Sequence, residues 1–102
     1  MDHVTLSEKE FPVRWDFLAL KEYKAMTKND ALVSFENSTE NVIALAFCGI
    51  KHGYRFLGEK FDMKPDEIAG LMLPRDLAVI VQLFAKQNKI ESVAEGEPRP
   101  TE

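Results

Sequence analysis

The pattern of apolar and polar residues near the start of the chain changes from a two-residue period to a helical period. From Phe11 to Trp15, apolar side chains alternate with polar residues or proline, which is typical of a β-strand with one buried face. Immediately afterwards, Leu20, Tyr23 and Met26 recur at the spacing of one helix face. The pattern therefore predicts a strand that passes almost directly into a helix.

Residues 3–15 together predict a β-hairpin. His3–Leu6 and Phe11–Trp15 are compatible with strands, and the polar residues 7–10 between them are suited to a turn. Pro12 has no N–H to donate, so the second strand should lie at an edge of the sheet or begin its pairing after that residue. Because a two-stranded hairpin is only marginally stable by itself, we expect it to pack against the helices that follow or against a second subunit.

The first helix is predicted over residues 17–28. Asp16 is a natural N-cap, since its carboxylate can accept hydrogen bonds from the free amides of the first turn. Trp15, just before this cap, is placed to form a hydrophobic staple with Leu20. Asn29 tolerates the left-handed conformation that often ends a helix.

Three further helices are predicted. Capping residues at 37–41 open a central helix whose apolar surface is wider than one stripe, which indicates burial on more than one side. A proline followed by two acids predicts a short helix over residues 65–72, and Pro74 opens the last helix. Residues 31–36 suit either a short helix or an extended link, and the polar residues 91–102 predict a disordered acidic tail.

These elements predict an α+β fold, with an N-terminal β-hairpin packed against about four helices. The length of 102 residues and the hydrophobic fraction of 45% suit one folded domain. We expect that domain to span residues 1–90, with the hairpin at 3–15 and the helical part at 16–90.

The charge of the chain disfavours some classes of binding partner. The net charge is −4, of which residues 91–102 contribute −3 from four glutamates and one arginine, so the remaining body carries −1. A body this close to neutral is not typical of proteins that bind nucleic acid or an anionic membrane. A single cysteine is usual in a reducing cytosol, and neither a signal peptide nor a run near the ~20 apolar residues of a membrane span is evident. We therefore expect a cytoplasmic protein with no nucleic-acid or membrane partner.

Few residues are candidates for chemistry. Cys48 and His52 lie four apart on the central helix and could supply two metal ligands, but a third ligand is not evident. A buried thiol beside a partly exposed histidine is the favoured interpretation. Asp66 and Glu67 suit the positive end of a helix better than paired catalysis, because adjacent helical residues do not face each other. We therefore expect no enzymatic activity, no metal and no cofactor.

Two sets of residues suit either the core or a contact surface. Gly49 and Gly53 lie on one face of the central helix, where each costs about 1 kcal/mol relative to alanine. Their small size allows close approach by a partner or by another part of the same fold, and a helix break near Gly53 is equally compatible. Met26, Met63 and Met72 suit core packing, or an adaptable surface for a partner peptide.

The order of elements resembles that of the tail assembly chaperones of long-tailed bacteriophages and prophages, and most of all the versions in Bacteroidetes-type elements. The resemblance covers roughly residues 3–90. It rests on the strand followed by DFLAL at 16–20, on AFCGI at 46–50 and on KPDEIA at 64–69.

The resemblance implies a non-enzymatic role in the host cytoplasm. Members of the family coat the tape-measure protein, a long and aggregation-prone helical rod, before the tail tube polymerises around it, and they tend to self-associate as homo-oligomers. An exposed strand edge is also a common site of association. The residues predicted to contact the client are Gly49, Gly53, Tyr54 and Phe56, and those predicted for self-association are Val13 and Trp15.

Two other classes of function stay open. A small regulatory or DNA-binding protein of a mobile element is the first, although a body close to neutral does not favour it. A small enzyme is the second, and it is disfavoured because the sequence shows no cluster of acid, base and nucleophile.

Overall fold

A computed structural model describes residues 1–34 and 38–88 of the chain, so the predicted tail at 91–102 lies outside the described residues. Over the described part, an antiparallel hairpin is followed by helices, which confirms the predicted α+β fold. The elements are β1 (His3–Leu6), β2 (Lys9–Pro12), α1 (Phe17–Thr27), α2 (Ala31–Ser34), α3 (Thr39–Leu57), α4 (Pro65–Ala69) and α5 (Asp76–Asn88).

The hairpin turn is tighter than predicted. Lys9 already pairs with Leu6, so only Ser7 and Glu8 form the turn rather than residues 7–10. Both turn residues have positive φ, at 50° and 67°, as in the two-residue turns whose twist matches that of the strands. The sequence did not indicate this turn because neither residue is the glycine or asparagine that such turns usually contain.

The second strand also ends earlier than predicted, at Pro12 rather than Trp15. Beyond Pro12, the Val13 amide still bonds Asp2, the residue before the paired His3, whereas the amides of Arg14 and Trp15 bond α3 and α5. The bonds run from Val13 N–H to Asp2 O (3.0 Å), from Arg14 N–H to Gly49 O (2.9 Å) and from Trp15 N–H to Gln87 Oε1 (2.8 Å).

Local capping chemistry sets the ends of the long helices. Asp16 caps α1 as predicted, accepting a hydrogen bond from the amide three positions along. The left-handed residue after α1 is Lys28 (φ 63°) rather than Asn29, so the helix ends one residue before the predicted end. Ser38 caps α3, and Gly58 (φ 74°) ends it in the left-handed region that favours glycine.

The connection between α4 and α5 is longer than the sequence suggests. Helix α4 ends at Ala69 rather than at residue 72, and α5 begins at Asp76, two residues after Pro74. The Asp76 carboxylate accepts a hydrogen bond from Leu73 N–H at 2.7 Å, so it satisfies an amide just before the helix. This bond holds the connection against the start of α5.

Helix α3 lies at the centre of the fold, and α1, α4, α5 and β2 all pack against it. Residues 44–50 are buried without a break, which covers every direction around the helix axis over two turns. This confirms the predicted burial of the central helix on more than one side. Among the described residues, no helix is both long enough and apolar enough to cross a bilayer.

Candidate functional site

The two glycines of α3 are covered by the segment that leaves the hairpin. A Cβ atom at Gly53 would lie 2.5 Å from the Pro12 carbonyl oxygen, and one at Gly49 would lie 2.6 Å from Cζ2 of the Trp15 indole. Helix α3 continues through Gly53 without a break. The close approach that the glycines permit is therefore made within the chain itself, and the predicted client contact at Gly49 and Gly53 is corrected, since both are buried.

The predicted self-association at Val13 and Trp15 needs the same correction, because both side chains are buried. The Trp15 indole N–H donates to the Leu45 carbonyl oxygen at 2.8 Å, and its ring meets that of Phe84 edge-on at 5.8 Å between centroids. The backbone amides of both residues are also bonded within the chain. A second subunit could not pair with this segment unless the segment first left the core.

The other two residues predicted to contact a client, Tyr54 and Phe56, reach the surface in different directions. Tyr54 is half-buried and stacks on Phe61, with 5.4 Å between ring centroids. Phe56 is 54% exposed, and the Arg14 guanidinium lies 4.0 Å from its ring centroid, which is a cation–π contact. Only these two of the four predicted residues are accessible to a partner.

A chain of polar contacts ties α1 to α3. Glu22 accepts hydrogen bonds from Lys51 Nζ (2.9 Å) and from His52 Nε2 (2.8 Å). Arg55 Nε donates to His52 Nδ1 at 2.8 Å, and Arg55 Nη2 also donates to Asp16. Because Nδ1 accepts from a guanidinium, the imidazole proton lies on Nε2, where it is donated to Glu22. Both ring nitrogens of His52 are therefore already used inside the protein.

The Cys48 thiol is likewise part of the interior. Burial, together with the charge of Glu22, raises its pKa to about 12, and its Sγ lies 3.6 Å from the Met26 sulfur. A thiol that stays protonated is a poor nucleophile and a poor metal ligand. Across residues 1–34 and 38–88, no three histidine, cysteine or acidic side chains are grouped so that they could hold a metal ion.

We expect the stability of the protein to fall as the pH drops through the pKa values of Asp16 and Glu22. Burial alone would raise the pKa of each carboxyl. Hydrogen bonds from Ala19 N–H, Arg14 and Arg55 nevertheless hold the pKa of Asp16 below its usual value. Lys51 and His52 do the same for the pKa of Glu22. A carboxyl whose pKa is lower in the folded state stabilises the protein above its unfolded pKa of about 4, and this contribution is lost as pH falls through the folded pKa.

Urea denaturation at a series of pH values below about 5 measures this loss. The double variant Asp16→Asn, Glu22→Gln should lose less stability over that range than the native chain, since neither side chain can then be protonated. Equal losses in the two proteins would show that these carboxylates do not cause the acid sensitivity.

An apolar groove lies between the start of α3, the end of α4 and the start of α5. Its volume is about 300 Å³. It exists because α4 ends early, which leaves the α4–α5 connection to form one wall. The residues that line it are Thr39, Ile43, Ala69, Met72, Leu73, Pro74 and Leu77.

The residues of this groove are anchored to the fold on one side yet accessible on the other. Leu73 is 45% exposed, while its backbone N–H is held by Asp76. Met72 and Leu77 are half-buried and pack against the core with one side. The sequence did not indicate the groove, because its residues come from three elements. Of the residues that line the groove, the sequence pointed only to Met72, as one of the methionines suited to an adaptable surface.

Two acidic residues lie one helical turn from lining residues of the groove. Glu40 lies one helical turn before Ile43, and Asp66 lies one turn before Ala69, so each carboxylate stands on the same side of its helix as a lining residue. Arg75, next to the lining residue Pro74, is the basic exception. The groove therefore has an apolar lining, and we call the charged neighbours Glu40, Asp66 and Arg75 its rim.

Comparison with known proteins finds no match for this chain among family models, curated proteins or solved structures.

Proposed function

We propose that this protein is a non-enzymatic tail assembly chaperone of the host cytoplasm, which binds an apolar helix of the tape-measure protein and keeps it soluble. The observation that carries the proposal is the apolar groove between α3, α4 and α5. The order of elements described above, which resembles that of the phage family, supplies the identity of the client.

The size and chemistry of the groove favour apolar side chains as its occupants. A volume of about 300 Å³ is at the lower limit of small-molecule pockets, which also contain several convergent polar groups. Among the described residues that line it, Thr39 alone has a polar side chain. Grooves between helices commonly accept the apolar face of an amphipathic helix, and the flexible thioether of Met72 suits a client with varied side chains.

The charges of the rim indicate which client helices should bind best. Glu40 and Asp66 would attract lysine or arginine residues placed beside the apolar anchors of the client helix. Rim charges affect the rate and specificity of association more than its final affinity. We therefore expect faster binding at low salt, with an affinity that depends mainly on the apolar contacts.

A pair of matched variants tests the groove. Leu73 and Val79 are equally exposed, at 45% and 44%, but only Leu73 lines the groove. Leu73→Asp should weaken binding to the tape-measure polypeptide by at least about tenfold, the effect of ~1.4 kcal/mol, whereas Val79→Asp should bind like the native chain. Coexpression followed by size-exclusion chromatography and a binding titration measures both.

The outcomes distinguish a wrong function from a wrong binding site. If the native chain and the tape-measure polypeptide elute separately and the polypeptide stays insoluble, the chaperone function is wrong. If they elute together and Leu73→Asp binds as well as Val79→Asp, the function stands but the groove is not its site.

Self-association is part of the proposal, but the buried Val13 and Trp15 do not supply its contacts. Analytical ultracentrifugation over a range of concentrations measures it directly. The regulatory or DNA-binding alternative makes a different prediction, which is a gel shift of duplex DNA that weakens steeply with salt.

A further inference from the structure

The outer edge of β1 carries backbone groups that no other described residue bonds. Hydrogen-bonded and non-bonded pairs alternate along an antiparallel ladder, and the bond from Val13 N–H to Asp2 O marks one bonded pair. His3 and Thr5 therefore lie in non-bonded pairs, so their N–H and C=O groups point away from β2. Among the described residues, neither backbone forms a hydrogen bond on that side. Strand β1 also contains no lysine or proline, which commonly protect such an edge.

Helix α5 lies beside β1, and hydrogen bonds fasten this part of the fold to both ends of the strand. At the turn, Ser7 Oγ donates to Leu71 O (2.9 Å) in the connection that leads to α5. At the other end, Lys86 and Gln87 of α5 each donate to the Asp2 carboxylate at 3.2 Å. Because α5 packs on β1 while α3 packs on β2, a strand added beyond β1 could still pack on α5.

Apolar surface is available on the side of α5 that faces β1. Asp76 lines a groove together with Thr5, and Gln87 bonds Asp2, so Asp76 and Gln87 both lie on this side. Leu83 follows Asp76 by seven residues and precedes Gln87 by four, which places it on the same side of the helix. Leu83 is only half-buried, so an apolar side chain of an added strand could pack on it.

The charges around this edge favour a basic partner. A groove of about 480 Å³ opens beside the turn end of β1, lined by Thr5, Ser7, Glu8, Arg75 and Asp76. Glu10, which pairs with Thr5, is exposed on the same face of the sheet, whereas Lys9 lies over the Phe11 ring on the other face. Within the described residues, neither Glu8 nor Glu10 forms an ion pair. Lysine or arginine side chains of a partner would therefore be attracted to this edge.

A second copy of the chain is a poorer occupant of the edge than a separate segment. Neighbouring strands lie ~4.8 Å apart, whereas a helix with its side chains is about 10 Å wide. If β1 paired with β1 of a second copy, the two α5 helices would therefore compete for the same space. An extended segment brings no such helix with it.

We propose that the outer edge of β1 binds an extended segment of a partner protein, which adds to the hairpin as a third strand. The segment exchanges backbone hydrogen bonds with His3 and Thr5. Its apolar residues pack on Leu83, and the lysine or arginine residues that alternate with them lie near Glu8 and Glu10. This site differs from the groove between α3, α4 and α5, because it takes a strand rather than a helix.

Peptide titrations of the full chain, followed by NMR, test this site. We expect acetyl-KVTVK-amide to cause saturable shifts of the β1 amides, with none at Ile43 and Leu77 of the groove between α3, α4 and α5. The charge-reversed acetyl-EVTVE-amide should bind about two- to fivefold more weakly at low salt, which is the effect of exposed charge pairs. If acetyl-KVTVK-amide causes no saturable shift at β1, or if the two peptides bind equally, the proposal is overturned.

Methylation of alternate peptide nitrogens distinguishes strand pairing from contact through side chains alone. In a paired strand, alternate residues direct their N–H groups toward the neighbouring strand. We therefore compare two forms of acetyl-KVTVK-amide, methylated at the nitrogens of the odd or of the even residues. One form should lose binding while the other keeps it. Binding of both forms with the affinity of the unmethylated peptide would rule out the added strand.

Thr5→Pro tests the same hydrogen bonds from the side of the protein. The substitution removes an N–H that points away from β2, so the ladder of the hairpin keeps its bonds, and circular dichroism checks the fold. Peptide binding should fall by about fivefold or more, the effect of one lost hydrogen bond, whereas Thr5→Val, which keeps the N–H, should bind like the native chain. Equal binding by the two variants would contradict the proposal. The peptides contain no tape-measure sequence, so the result does not depend on the proposed chaperone function.

Discussion

Replacing Gly53 with alanine should lower the free energy of unfolding by about 1 to 3 kcal/mol, even though alanine favours helix by about 1 kcal/mol. The new Cβ would lie 2.5 Å from the Pro12 carbonyl oxygen and 2.7 Å from its carbonyl carbon. These are backbone atoms, and the chain on either side is held by the pairing of Pro12 with His3 and by the bond from Val13 N–H to Asp2. Relief would therefore require α3 and the hairpin to move apart.

Gly70→Ala is the matched control for this effect. A Cβ there meets its nearest atom at an ordinary 3.5 Å, and Gly70 has a right-handed φ of −67°. Alanine at that position should leave the stability unchanged or raise it by up to about 1 kcal/mol. Urea denaturation followed by circular dichroism compares the two. If Gly53→Ala were as stable as Gly70→Ala, the hairpin would not lie against α3 as described.

Trp15→Ala should cost about 3 to 5 kcal/mol, which is a large part of the 5 to 15 kcal/mol that stabilises a typical domain. Trp15 connects the helices to one another as well as to the hairpin, because the indole bonds the Leu45 carbonyl of α3 and packs on Phe84 of α5. Loss of the ring therefore leaves a cavity between helices, and we expect the whole domain to unfold more easily.

Trp15→Phe separates the contribution of apolar burial from that of the indole N–H hydrogen bond. Phenylalanine keeps most of the apolar burial but removes the indole N–H, so we expect a smaller cost of about 1 to 2 kcal/mol. Far-ultraviolet circular dichroism, which reports the helices, should show one transition at a lower urea concentration for Trp15→Ala. A variant that keeps the native helical transition while losing only the hairpin would contradict this role for Trp15.

The N-terminal limits of α1 and α3 were predictable from the sequence, because they depend on local capping chemistry. Asp16 and Ser38 cap helices in the structure because a short polar side chain before an apolar periodic segment satisfies amides within the same turn. The end of the second strand was not predictable in this way. The alternation from Phe11 to Trp15 is real, but the amides of residues 13–15 bond partners that are distant in sequence.

The surfaces were harder to predict than the elements. Gly49 and Gly53 indicated a close approach, but only the tertiary structure shows that the approaching atoms belong to Trp15 and Pro12. The groove brings together three elements, and it depends on α4 ending at Ala69.

The central claim is that the groove between α3, α4 and α5 binds an apolar helix of the client. Its most direct test is a titration of the protein, labelled at its methyl groups, with a helical tape-measure peptide, followed by NMR. We predict saturable shifts of the methyl signals of Ile43, Met72 and Leu77, with none for Val79 on the exposed side of α5. Unchanged groove signals, or saturable shifts confined to residues outside the groove, would contradict the claim.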